Sequence, residues 1–190
     1  MPAQRRQRLS GEAVVTLPYP LPELDLAAPF DRYRSRVLPE WIDANAHMNM
    51  AYYMVVFDHA SELLLAQAGL SSDCYTRYAL GMLFVVEAHI EYQRELAENA
   101  PIAVSSQILD LDRKLLHLLM RMRHETQGYA VASCQLLFLH ADFKTRRSAP
   151  WPNVCMERLE ALAVAHRALP SPDRSNCRMG IDRSRRAARP

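Results

Sequence analysis

The sequence predicts an α+β domain in which an antiparallel sheet wraps around one long central helix. Three observations carry this. Residues 51 to 68 contain neither Pro nor Gly, four segments between residues 82 and 143 read as strands, and most of the strand connections are short. An antiparallel sheet must bury one apolar face, and the long helix is the main element available to cover it.

The elements follow in order. Residues 1–28, with Pro2, Pro18, Pro20 and Pro22, read as an extended N-terminal arm that lies along a surface. "FDRYRSRVL" alternates as a strand and Pro39 stops it. Asn49 is placed to cap a helix over residues 51 to 68, and Gly69 to end it. The polar positions of this helix are few, Asp58, His59, Ser61, Glu62 and Gln67, so it is expected to be covered on most sides. A short helical stretch is expected around residues 71 to 78. "LFVVEAHIEY" then puts Phe84, Val86, Ala88, Ile90 and Tyr92 on one strand face and Glu87, His89 and Glu91 on the other. "PIAVSSQILDL" is a further strand. In "LLHLLMRMRH" Leu116, Leu118, Met120 and Met122 oppose His117, Arg121 and Arg123. "TQG" turns the chain into "YAVASCQLLFLHAD", which is apolar on both faces and therefore interior. The chain divides into the arm, a domain over 29–145, a C-terminal helix within 146–168, whose helical pattern spans residues 153 to 166, and a basic tail over 169–190 expected to be disordered.

Composition narrows the function classes. The 190 residues, 49% hydrophobic, suit one core. No apolar run reaches the roughly 20 residues that cross a bilayer, and the Arg-bearing N-terminus lacks the hydrophobic region of a secretion signal, so a cytoplasmic protein is expected. Cys74, Cys134, Cys155 and Cys177 are scattered without a CxxC pair, and neither HxH nor HExxH occurs, so neither a metal site nor a disulfide framework is expected. The net charge of +2 hides an acidic body of 13 basic and 19 acidic residues over 9–166, with arginines concentrated at both ends. That distribution argues against nucleic-acid binding, which concentrates positive charge on a folded face.

The stretch "EWIDANAHMNMAYYMVVFDHA" sets a polar knot, Asp43, Asn45, His47 and Asn49, immediately before the helix. The motif "DANAHMN...YY" together with the element order resembles the hotdog-fold acyl-CoA thioesterases of the 4-hydroxybenzoyl-CoA thioesterase type, over roughly residues 30 to 143. More narrowly, "VVEAHIEYQRE", the segment from Asp112 to Asp142 and the tail "CRMGI" are similar to the betainyl-CoA thioesterases found with carnitine catabolism. The sequence departs from the family pattern at Ala46, where Gly is usual, and at "ENAP", which replaces a Gly-Asp turn. If the backbone at residue 46 needs a positive φ, Ala46 carries strain.

The resemblance implies hydrolysis of an acyl-CoA thioester without a separate cofactor, coenzyme A being part of the substrate. Such chemistry needs a group that activates water or attacks the carbonyl, and donors for the oxyanion. Asp43 beside a helix N-terminus supplies the first, as base or nucleophile, and amides near His47 to Met50 supply the second. His47 and Asn49 complete the catalytic set; equally, His47 can hold the loop shut and Asn49 can be only the N-cap. Glu62 is a supporting carboxylate that Asp58, one turn earlier, would repel. A betainyl group carries a quaternary ammonium, for which Trp41, Tyr52, Tyr53, Phe84 and Tyr92 form a candidate aromatic cage, with Glu87 and His89 in reach of the pocket. Aromatics at such positions are also ordinary core residues, and Glu87 and His89 a satisfied polar pair. Arg94, Arg113, Lys114 and Arg146 are candidates for the CoA phosphates. Open sheet edges imply at least a homodimer or a dimer of dimers with sites at the interface. A hotdog hydratase or dehydratase using His47 and Glu62, and a catalytically silent acyl-binding module, are the competing readings.

Overall fold

The computed structural model describes residues 21–71, 81–170 and 179–181. The expected helix around residues 71 to 78 and the arm before residue 21 therefore fall almost wholly outside the described residues. Strand β1 (Phe30–Arg36) leads through a short 3-10 turn (Pro39–Trp41) to helix α1 (Met50–Gln67). Strands β2 (Met82–Tyr92), β3 (Pro101–Leu111), β4 (Leu115–His124) and β5 (Ala130–Ala141) follow, and helix α2 (Asn153–His166) closes the series. The strands form one antiparallel sheet in the order β1-β3-β4-β5-β2.

Helix α1 starts where its cap is. The Asn49 Oδ1 accepts from the Ala51 N–H at 2.9 Å, satisfying one of the first unpaired amides. It stops at Gly69, whose φ of 76° turns the chain left-handed so that the Leu70 N–H returns to the Leu65 carbonyl at 2.9 Å. One side of α1, with Tyr53, Val56, Phe57, Leu64 and Leu65, is buried against Val104, Ile108, Leu116, Leu118, Met120, Met122, Leu136 and Phe138 of the sheet. The expectation of a helix covered on most sides needs correction: Met50, Val55 and Leu63 are exposed, leaving an apolar stripe uncovered within one chain.

A second correction concerns β2. Its register against β5 slips between Val85 and Glu87, so Val86 is the extra residue of a bulge. One inserted residue moves everything beyond it to the opposite face. Phe84 pairs with Leu139, while Ala88, Ile90 and Tyr92 pair with Leu136, Cys134 and Ala132, so the expected alternation breaks and Phe84 shares the outer face with Glu87 and His89.

That outer face is partly closed by Pro170 and residues 179–181. Leu137 and Leu115 pack with the buried Met179 and Ile181, and the Gln107 side-chain amide donates to the Pro170 carbonyl at 3.4 Å. Residues 179–181 of the tail expected to be disordered are thus packed. Beside them His117, placed by the sequence on the polar face, is fully buried and bonded to Gln135 at 3.0 Å.

Helix α2 extends the core through Cys155, Leu159 and Leu162. Strand β1 pairs with β3 only as far as Ser106, and beyond that point the Ile108 N–H donates to His166 Nδ1 at 2.9 Å. The other ring nitrogen lies 3.2 Å from the Ala27 carbonyl, so the neutral tautomer with hydrogen on Nε2 satisfies both contacts. Burial lowers the pKa of His166 from its ordinary value. The described end of the arm follows the surface, with the Asp25 N–H on Gln67 Oε1 at 3.0 Å and the Arg158 guanidinium on the Pro22 carbonyl at 2.6 Å.

Candidate active site

The polar loop before α1 is a closed turn. The Asp43 N–H donates to the His47 carbonyl at 2.9 Å and the Ala46 N–H to the Asp43 carbonyl at 3.0 Å. Ala46 has φ of 62°, so an alanine does occupy the left-handed position that favours glycine. The neighbouring departure is better tolerated: Asn99 of "ENAP" also has φ of 62°, and asparagine enters that region at lower cost. The loop is tied outward by the Met48 N–H on the Leu96 carbonyl and the Asn49 N–H on the Trp41 carbonyl, both at 2.8 Å.

These bonds fix Asp43 and leave part of it available. Its Oδ1 accepts from the Asn45 N–H at 2.8 Å, the turn-closing role of an aspartate. Among the described residues Oδ2 accepts nothing. Asp43 lies on a shallow groove of about 360 Å³ with Met48, Met50 and Tyr53 on one side and Tyr92, Gln93, Arg94 and Glu95 on the other. The first amide of α1, Met50 N–H, has no acceptor among the described residues, while its neighbours at 48, 49, 51 and 52 all do. A half-buried carboxylate oxygen and an unused helix N-terminal amide therefore share one groove. A larger cavity of about 510 Å³ lies between β3 and α2 and includes no residue of the Asp43 loop.

The structure sorts the residues singled out by sequence. Asp43, Tyr53 and Tyr92 line the groove. His47 stands beside it with Nε2 3.2 Å from Glu95 Oε1, and Asn49 is the observed N-cap. Trp41 stacks on Tyr52 at 5.5 Å, buried beneath the loop. Glu62 is 12 residues along α1 from Met50, about 18 Å, too far to meet Asp43. The bulge at Val86 leaves Phe84, Glu87 and His89 on the outer face, where His89 lies 3.5 Å from Glu91, so within one chain they do not join the groove. Of the four basic candidates Arg94 borders the groove, its guanidinium 5.0 Å from the Tyr129 ring centre. Lys114 binds Ser148 near the far end of β5, where Arg113 and Arg146 also lie; that strand's twelve residues span roughly 35 Å.

Sequence reasoning missed Met48, Gln93 and Glu95. Gln93–Glu95 read as a connection after β2, yet both the Gln93 and Arg94 N–H groups donate to the Val131 carbonyl, at 2.8 and 3.0 Å, which holds this turn against the groove. Alternation signals do not reach past a strand end, so only the pairing partner could reveal it. Among the described residues no group of three His, Cys, Asp or Glu is placed to hold a metal ion, and no helix is long and apolar enough to cross a membrane.

A five-stranded antiparallel sheet curled on a long helix, with an acid-bearing groove at the helix's first turn, defines a hotdog-fold protein. The chain belongs to the thioesterase-like superfamily, whose family model matches residues 37–159. It is 41% identical over 142 residues to the betainyl-CoA thioesterase of Pseudomonas aeruginosa, covering 74% of this chain and 88% of that one. It is 29% identical over 164 residues to the L-carnitine dehydrogenase/betainyl-CoA thioesterase of Rhizobium meliloti, covering 86% of this chain and 33% of that longer protein. Among solved structures, a Staphylococcus aureus protein in complex with CoA superposes with a TM-score of 0.71 at 23% identity, over 82% of this chain and 99% of that one. A Pseudomonas putida putative thioesterase gives 0.68 at 27% identity, with the same coverage of 82% and 99%.

Proposed function

We propose that this thioesterase hydrolyses betainyl-CoA to glycine betaine and CoA, in the cytoplasm and in the breakdown of carnitine. The observation that carries the reaction is the shared groove, where, among the described residues, neither Asp43 Oδ2 nor the Met50 N–H has a partner. Asp43 takes a proton from a water whose oxygen attacks the thioester carbonyl. The negative charge moves onto the carbonyl oxygen, which accepts from the Met50 N–H and is favoured by the positive end of α1. The tetrahedral intermediate collapses, the C–S bond breaks, and the proton held by Asp43 passes to the CoA sulfur. His47 and Glu95 hold the loop beside this site. The betainyl acyl group is supported by the names of the relatives that share 41% and 29% of their aligned residues with this chain.

The working form is a homodimer joined through β2. This strand is a sheet edge eleven residues long whose Phe84, Val85 and Val86 are exposed, an arrangement that invites pairing with a second copy. Light scattering should give twice the mass of one chain.

The test of the reaction is thiol release from a panel of thioesters: betainyl-CoA, acetyl-CoA and benzoyl-CoA. Betainyl-CoA is expected to give the highest kcat/KM. No thiol release from any member would remove the proposal and favour a hydratase or a silent module.

A further inference from the structure

The reading of the groove as a betainyl-CoA site sets a strict geometric demand, and the inference here rests on that reading. In a betainyl thioester one CH2 separates the carbonyl carbon from the quaternary nitrogen. The cation must therefore lie in the same groove as the reacting carbonyl and cannot be read at a distance. A trimethylammonium has no N–H to donate, so hydrogen-bond acceptors cannot single it out by direction; aromatic faces and nearby negative charge can.

The groove offers that combination. Tyr92 is 49% exposed, and its hydroxyl donates to the Met50 carbonyl at 3.3 Å, which places the ring beside the first turn of α1. Tyr53, only 4% exposed, meets it at 86° with the ring centres 5.2 Å apart, so the Tyr92 ring is held from behind by a buried partner. Glu95 lines the same groove and is itself fixed by His47. Trp41 and Tyr52 stack on each other under the loop, and Phe84 stands on the outer face, so none of these three competes for the role.

We infer that Tyr92 is the specificity-determining residue for the acyl group: its exposed ring, backed by Tyr53 and flanked by Glu95 and Asp43, holds the quaternary ammonium while the carbonyl sits at Met50. The preference is electrostatic. A neutral group of the same shape fills the corner equally well but gains nothing from the ring's negative face or from the two carboxylates.

The experiment compares betainyl-CoA with 3,3-dimethylbutanoyl-CoA, which replaces the nitrogen by carbon and keeps the shape. The readout is the ratio of the two kcat/KM values, so loss of packing that slows both substrates cancels. Wild type should prefer the cation at least tenfold. Tyr92→Phe keeps the ring and should keep the ratio, whereas Tyr92→Leu should lower it by about ten- to thirtyfold. Glu95→Gln should lower it in the same direction. An unchanged ratio in Tyr92→Leu overturns the inference. Hydrolysis of both substrates by wild type without a preference also overturns it and leaves the thioesterase reading standing. No thiol release from either of them or from acetyl-CoA overturns the two together.

Discussion

Replacing Asp43 with Asn is the most informative single perturbation. The structure separates the two tasks of this side chain. Oδ1 closes the turn by accepting from the Asn45 N–H at 2.8 Å, and an amide oxygen can do the same. Oδ2 accepts nothing among the described residues, and there the substitution replaces a proton-accepting oxygen by an NH2 in a side chain that lines the groove. The turn should survive, since only the modest attraction of a carboxylate for the helix N-terminus is lost, within about 1 kcal/mol. Turnover should not survive. Loss of a positioned general base costs about 10²- to 10⁴-fold, equivalent to roughly 3–5 kcal/mol of barrier. The assay is thiol release from betainyl-CoA with thermal melting run in parallel. A folded Asp43→Asn protein within tenfold of wild-type kcat/KM would refute the reasoning and reduce Asp43 to a loop cap. Loss of both folding and turnover would show that the charge closes the loop.

Two further predictions concern stability. Ala46→Gly removes the left-handed strain at φ of 62°, a relief of about 1–2 kcal/mol set against about 0.4–1 kcal/mol for the freer unfolded glycine. The variant should unfold at higher denaturant by the equivalent of about 0.5–1 kcal/mol, and a midpoint below wild type would contradict the strain. His166 is buried and neutral between the Ile108 N–H and the Ala27 carbonyl, and burial holds its pKa below the ordinary value of 6.5. The unfolded chain therefore binds the proton more readily, and the contribution is present in full above pH 6.5 and lost as pH falls toward the folded value. Urea melts at pH 7.5 and 5.5 should show wild type losing more stability than His166→Gln, and equal losses would show that His166 does not set this dependence.

Much of the fold was legible in the sequence, because local chemistry decides it. Asn49 and Gly69 mark the ends of α1 through backbone hydrogen bonding and a left-handed turn, which act over a few residues. The alternation of Leu116, Leu118, Met120 and Met122 sets which face of β4 is buried, because side chains alternate along a strand. The polar knot from Asp43 to Asn49 marked the loop that borders the groove for the same reason: its turn is closed by its own residues.

What the sequence could not decide depends on partners far along the chain. The bulge at Val86 exists only relative to β5, and it put Phe84 on the outer face beside Glu87 and His89, away from Ala88, Ile90 and Tyr92. His117 reads as exposed by alternation, yet it is buried on the same face that Met179 and Ile181 help to close. Glu95 joins the groove through the hold of Val131 on the turn before it. The class of chemistry thus sat in a short local motif, while the choice of which aromatic rings and carboxylates surround it fell to strand register and chain return, which no local pattern encodes.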